Sequence, residues 1–179
     1  MKKKSISLFL LVCLNFFLGC KKIDELTEFD LEYSTEITIP ASGLSINQPI
    51  TLNTPEIPTN GSSKFTENNT TKNLIDEIKL TRFNISVVTP SGANLDFMNS
   101  LEIFIAAGNI SETMFAKKVP VPPGSAFVSM DLEGQNLKDY IFEDKFKMRL
   151  RLVPDQVLSA DVKIKIDQTM HVKGKRLKK

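Results

Sequence analysis

Two stretches near the C-terminus decide the fold: residues 145–152, KFKMRLRL, and residues 162–172, VKIKIDQTMHV. In the first, Phe146, Met148, Leu150 and Leu152 alternate with Lys145, Lys147, Arg149 and Arg151. In the second, Val162, Ile164, Ile166, Met170 and Val172 share one parity, with Gln168 the exception. Successive side chains of a strand point to opposite faces, so this period of two marks strands with one face buried and one in water. Pro154-Asp155 opens the connection between them. If the two strands form a hairpin, Lys163 and Lys165 join Lys145, Lys147, Arg149 and Arg151 in one basic face.

The same pattern recurs upstream. Phe29, Leu31, Tyr33, Thr35, Ile37 and Ile39 alternate with Asp30, Glu32, Ser34, Glu36 and Thr38, and Pro40 ends the run. Residues 40–73 hold Pro40, Pro49, Pro55, Pro58, an Asn60-Gly61 pair and a Ser/Thr/Asn-rich run. They predict a long connection with at most a short strand near Ile50–Asn53. Asn73 and Asp76, ahead of an apolar run, predict a capped helical turn. Ile78 and Leu80 share one face, but Phe83, Ile85 and Val87 have the opposite parity. One extra residue near Thr81–Arg82 reconciles them, which is what a β-bulge supplies.

Leu101, Ile103 and Ile105 alternate again up to Gly108-Asn109, and Met114–Val119 follows as a further strand. Pro122-Pro123-Gly124 leads into Ala126, Val128, Met130 and Leu132 as one strand, and Gln135–Phe142 reads as a short helix. Short strands separated by turn signals, with no amphipathic crossover helix, predict an all-β, antiparallel two-sheet β-sandwich with one or two short helices. Immunoglobulin-like, transthyretin-like and jelly-roll topologies remain open. The expected core is Leu31, Ile37, Ile39, Phe83, Ile85, Leu101, Ile103, Val128, Met148, Leu150, Ile164 and Ile166.

The N-terminus carries an address. Lys2, Lys3 and Lys4 precede an apolar run from Ile6 to Leu18, too short to span a bilayer and laid out as a secretory signal. It ends in Phe17-Leu18-Gly19-Cys20, which resembles the lipobox of bacterial lipoproteins, with Phe17 bulkier than that motif's usual residue. The resemblance implies cleavage between Gly19 and Cys20 and acylation of the Cys20 sulfur, including palmitate-type chains. Cys13 would leave with the leader, so Cys20 would be the sole, unpaired cysteine of the mature chain. Lys21-Lys22-Ile23-Asp24-Glu25 is similar to the surface-export signal of Bacteroidota lipoproteins, and also reads as a plain polar tether. Residues 26–39 (LTEFDLEYSTEITI) and 78–105 (IKLTRFNISVVTPSGANLDFMNSLEIFI) resemble small outer-membrane lipoproteins of that phylum, a likeness of structural pattern that implies no activity.

The expected organisation is a signal peptide over 1–19, a lipidated Cys and tether over 20–27, a β-sandwich over 28–173 and a basic tail over 174–179. The protein is expected at the bacterial outer membrane, lipid-anchored, with the periplasmic or surface side left open.

Composition narrows the function. The chain has 179 residues, 41% hydrophobic and 25% charged, which excludes collagen-like, fully disordered and disulfide-stapled classes. Its formal charge of +2 misleads, because Lys2–Lys4 leave with the leader and Lys173–Lys179 holds five cations and no acid. The body between is acidic, which argues against nucleic acid as a partner. The one His, His171, has cationic neighbours in sequence and no evident orienting carboxylate. Without a second His or a Cys in the folded domain, the common zinc sites are not available. Adjacent carboxylates (Asp76-Glu77, Glu143-Asp144) point to opposite faces of a strand and make no acid–base pair by adjacency. With no Trp and two Tyr, an aromatic sugar platform is poorly supplied.

The reading is therefore a protein with no catalytic residues, metal or cofactor. It would act as an interaction or structural module, held to the membrane by acyl chains and meeting an envelope protein. The candidate contact surfaces are the 40–73 connection and the basic face of Lys145, Lys147, Arg149, Arg151, Lys163 and Lys165, which suits an anionic partner. The alternatives are a carrier of an apolar ligand between the sheets and a glycan-binding surface lipoprotein.

Overall fold

The computed structural model describes residues 28–175. The alternating segments form strands, in chain order β1 (Glu28–Ile39), β2 (Ile50–Asn53), β3 (Ile57–Pro58), helix α1 (Gly61–Glu67), a 3₁₀ turn (Lys72–Leu74), β4 (Ile75–Thr89), β5 (Met98–Ala107), β6 (Ile110–Lys118), β7 (Phe127–Ser129), β8 (Asp131–Leu132), helix α2 (Lys138–Phe142), β9 (Lys145–Pro154) and β10 (Val162–Gly174). They build two sheets. Sheet A has the order β1-β10-β4-β7; sheet B has the order β2-β9-β5-β6-β8, with β3 also on β9. Neighbouring strands run antiparallel throughout. The chain is an all-β sandwich.

The inner faces meet in one core, and every residue of the expected set is buried in it. Aromatic side chains join the layers. Phe83 of sheet A meets Phe115 of sheet B edge-on at 5.5 Å, and Tyr33 meets Phe146 at 5.3 Å. Such edge-on pairs are favoured by the ring quadrupole. The bulge in β4 falls where parity demanded it: Met170 faces Leu80 and Thr169 faces Arg82, leaving Thr81 as the extra residue.

Several local expectations are corrected. Residues 54–67 are not an open connection. Thr54, β3 and Thr59 run along β9 as an edge, and α1 then packs Phe65 against Phe29 and Phe142. Burial of Ile57 and Phe65, on either side of the Asn60-Gly61 start of α1, outweighs the loop-like composition. The capped turn expected around Asn73 and Asp76 is a single 3₁₀ turn, and Asp76 already lies in β4, where β10 extends the ladder to Ile75. The strand expected over 126–132 divides at Met130: β7 pairs with β4 in sheet A, and β8 pairs with β6 in sheet B. A chain that changes sheets in this way closes one side of a sandwich. β10 reaches Gly174, and the Lys175 backbone N–H donates to Leu74, so the sandwich takes in the first two residues assigned to the tail.

The register gives the sandwich two unlike ends. β1 begins and β10 finishes at one end, where Glu28 faces Lys173. That terminal end also holds the Gly108-Asn109 turn, α1 and α2, for Gly108 lies by Glu143 and Gly61 by the Ile141 carbonyl. The connections 40–49, 90–97, 119–126 and 155–161 gather at the opposite, loop end. They are joined by backbone hydrogen bonds from Asn47 to Pro154, Leu95 to Ser125, Val121 to Asn99 and Asp155 to Phe97.

Candidate functional site

The basic face does not assemble. β9 belongs to sheet B and β10 to sheet A, so Lys145, Lys147, Arg149 and Arg151 stand on one outer surface and Lys163 and Lys165 on the opposite one. The 155–161 connection crosses between the sheets rather than turning a hairpin. Carboxylates also neutralise most of the stripe. Lys145 pairs with Glu56 at 2.5 Å, Arg149 with Glu112 at 2.7 Å, Arg151 with Glu102 at 2.8 Å, Lys163 with Glu36 at 3.1 Å and Lys165 with Asp167 at 2.9 Å. Lys147 has no carboxylate partner among the described residues.

Apart from Lys165 and Asp167, which share β10, these pairs join different segments. Across sheet B one row reads Thr51, Arg151, Glu102, Lys117, Asp131, so opposite charges sit on adjacent strands. Cross-strand pairs of opposite sign stabilise a sheet face, whereas like charges would oppose it. The hydrogen bonds with Glu112 raise the Arg149 pKa further, and its guanidinium lies 3.9 Å from the centre of the Phe104 ring. On sheet A burial pushes the Asp167 carboxyl up, but hydrogen bonds from Lys165 and Ser34 outweigh it and hold the group below its ordinary value. The stripe is an ion-paired outer face.

His171 acquires carboxylates that its sequence neighbours lack. β1 pairs with β10, which places Asp30 opposite His171. Nδ1 lies 2.8 Å from the Asp30 carboxylate and Nε2 lies 3.8 Å from that of Glu28. Only the strand pairing, with partners 141 residues apart, could have revealed this. Each ring nitrogen lies toward a carboxylate, and neither faces a hydroxyl in the manner of a nucleophile–base pair. Lys79 completes the row and pairs with Glu77.

The two tyrosines are inward. Burial raises the pKa of both; Tyr33 donates its hydroxyl to the Thr59 carbonyl and Tyr140 donates to that of Ser111.

The loop end differs from the rest of the surface. Ile46, Val88, Val119, Phe127 and Val157 are exposed there, Val119 at 59% and Val157 at 70%. Between them, 40–49, 90–97, 119–126 and 155–161 contain no Lys or Arg. Of their acids, Asp96 accepts from the Gly124 backbone N–H and Asp161 accepts from that of Ala41 at 2.8 Å, so both brace loops. The part of the 40–73 connection that belongs to this end is 40–49.

A groove of about 470 Å³ runs beside the upper half of β1, lined by Glu36, Ile37, Thr38, Leu52, Asn53, Pro55 and Lys163. It opens between the edges of the two sheets, and Glu36, Thr38, Asn53 and Lys163 make much of its lining polar. It is not the inter-sheet cavity that an apolar carrier needs.

Gly19, Cys20, the 1–19 leader and the 20–27 tether lie outside the described residues, as do residues 176–179. Among the described residues no helix is long and apolar enough to cross a membrane.

No family model matches the chain, and no curated protein matches it. Among solved structures the chain is similar to Desmodium yellow mottle tymovirus at 9% identity, over 85% of this chain and 91% of that chain, with a TM-score of 0.31. It is similar to turnip yellow mosaic virus at 10% identity, over 84% and 98%, with a TM-score of 0.27. Tomato aspermy virus matches at 10% identity, over 82% and 79%, with a TM-score of 0.33. Likenesses at these TM-scores carry no argument about topology or function.

Proposed function

We propose that the protein is a non-catalytic, lipid-anchored envelope lipoprotein that acts as an interaction or structural module at the outer membrane. Acyl chains on Cys20 are its anchor, and the loop end is its contact surface. The observation that carries this reading is the polarity of the sandwich. β1 starts at Glu28, a few residues beyond the Gly19-Cys20 motif, and starts at the terminal end. A protein tethered there holds the apolar, cation-free loop end away from the bilayer. Two acyl chains already anchor stably, at about 0.8 kcal/mol per buried CH₂, and loops on a rigid scaffold are the usual seat of recognition.

The anchor is tested with Cys20→Ala, which should release the protein from membranes or leave the precursor uncleaved; a correctly cleaved variant still on the membrane would sink it. The contact surface is tested by crosslinking in intact cells, with a variant carrying Val119→Asp, Phe127→Asp and Val157→Asp beside one carrying Lys147→Glu, Arg149→Glu, Arg151→Glu and Lys163→Glu. The reading expects a reproducible crosslinked protein that the loop-end variant loses and the charge variant keeps. A partner lost only in the charge variant would move the surface to the strand faces, and no partner beside co-purified lipid would favour the carrier.

A further inference from the structure

The two long sides of the sandwich differ. On one, the chain passes from β7 in sheet A to β8 in sheet B and closes the gap between the layers. On the other, β1 is the outermost strand of sheet A and β2 that of sheet B, and the groove of about 470 Å³ opens between them. β1 runs for 12 residues in unbroken register with β10, without a bulge and without proline. Bulges, prolines and short length are the usual means of blunting a sheet edge, and this edge has none of them.

The direction of its backbone groups follows from one contact. The Glu32 carbonyl accepts from the Lys64 ammonium of α1 at 3.3 Å, so it points away from β10. The N–H and C=O of a strand residue point to the same side, and the side alternates along the chain. Those of Ser34, Glu36 and Thr38 therefore face the free edge as well. Helix α1 shields the first half of that edge, with Phe65 on Phe29 and Lys64 over the Tyr33 ring. Past α1, no backbone group among the described residues pairs with the edge-facing groups of Ser34, Glu36 and Thr38.

We infer that the stretch 34–38 is a docking edge for an extended segment of a partner protein, which joins sheet A beside β1 as an antiparallel strand and lies in the groove. This site requires neither the acyl anchor nor the loop end. In such strand addition, main-chain hydrogen bonds give affinity and alternate side chains give specificity. The specificity is read from the strand that β1 already holds on its other edge. β10 sets Ile164 and Ile166 against Ile37 and Thr35, and Lys165 against Glu36. An incoming strand meets the same β1 side chains, with Leu52 and Pro55 on the far wall. It should carry the same order: apolar, cation, apolar. A second copy of the chain is the poorer occupant. Two-fold pairing of 34–38 with itself sets Glu36 opposite its own counterpart, and like charges directly opposite are destabilising.

The probe is the acetylated and amidated peptide VKIKIDQ, the sequence of residues 162–168, added to the chain from residue 20 with Cys20→Ser. Amide exchange followed by NMR should be fast at Ser34, Glu36 and Thr38 in the free protein and at least about fivefold slower with peptide in excess. N-methylation of the peptide amide at Lys165 leaves every side chain in place. It should abolish the protection, because opposite Glu36 that amide faces β1. Glu36→Lys should weaken binding of the parent peptide about two- to fivefold, and the peptide carrying Lys165→Glu should restore binding to that variant. Circular dichroism and melting temperature check that the variant keeps its fold, and the N-methyl comparison stands without it. Absence of protection, protection that survives N-methylation, or a charge swap without rescue would overturn the inference. Slow exchange at the three amides before peptide is added would overturn it too, and a dimer in sedimentation would then give the edge to a second copy.

Discussion

Tyr33 shows how much one side chain of a strand can hold. It fills the inner face of β1 against Phe146 and reaches the Thr59 carbonyl with its hydroxyl at 2.9 Å, tying the 57–67 segment to the edge of sheet A. Tyr33→Phe should cost about 1 kcal/mol at neutral pH, the net value of such a bond. Burial raises its pKa above the ordinary value near 10. A raised folded-state pKa stabilises fully below the unfolded pKa and ceases to do so as pH climbs toward the folded one. The protein should therefore lose stability above about pH 10, and the Phe variant should lose less over that range. Urea midpoints at pH 7 and at about pH 11 check both statements. Gln168 is the converse case: it points inward from β10, and its side-chain oxygen has no hydrogen-bond partner among the described residues. Replacing a side chain whose buried amide oxygen is unpaired with an apolar chain of similar shape removes a desolvation cost, so Gln168→Met should gain roughly 1 kcal/mol. For a domain of this size that is a rise of about 2–4 °C in melting temperature; a fall would show that the amide is satisfied in solution.

At the scale of elements, β4 carries the sharpest expectation. Its bulge at Thr81 reconciles Ile78 and Leu80 on one side with Phe83 and Ile85 on the other. Thr81 itself is exposed, so Thr81→Ala should change stability by less than about 0.5 kcal/mol. Deleting Thr81 removes the extra residue and leaves Ile78, Leu80, Phe83 and Ile85 in one regular alternation, so that variant should still fold; deleting Asn84 from the regular part forces a one-residue slip that turns one set of apolar residues to water and should fail to fold. An unfolded Thr81 deletion beside an Asn84 deletion with a native-like cooperative melt would refute the bulge. β4 was legible because parity is local: two runs of opposite phase within one strand require an extra residue. The 126–132 segment was not, since parity cannot tell one strand from two that lie in different sheets. Residues 54–67 were misread because their Pro, Asn and Gly speak for turns. Their order comes from Ile57 and Phe65 docking on groups remote in sequence.

For the whole molecule, β10 is the strand on which sheet A depends. It lies between β1 and β4 and is buried along its inner face from Val162 to Gly174. Amide exchange should be slowest in β10 and the middle of β4, β5 and β9, and fastest in 40–49, following local opening free energies. Slow exchange in 40–49 would mean that this loop is as firmly held as the core. Phe83→Ala, which empties the junction with Phe115, should cost about 3–5 kcal/mol in global stability, measured by chemical denaturation.

By itself the sequence determined the fold class, the inward residues and the bulge, because alternation and parity are properties of neighbouring residues. It also carries the Phe17–Cys20 motif and the basic run from Lys173, which are linear features. Tertiary structure alone decided which strands are neighbours. It set β9 and β10 in different sheets and so dispersed the expected basic face. It brought Asp30 to His171, ranged carboxylates beside the outward cations, and gathered the apolar loops at the end opposite Glu28 and Lys173. The reason is physical: a strand's pattern says which face is buried but not which edge it pairs with. That choice is made by packing the whole core at once.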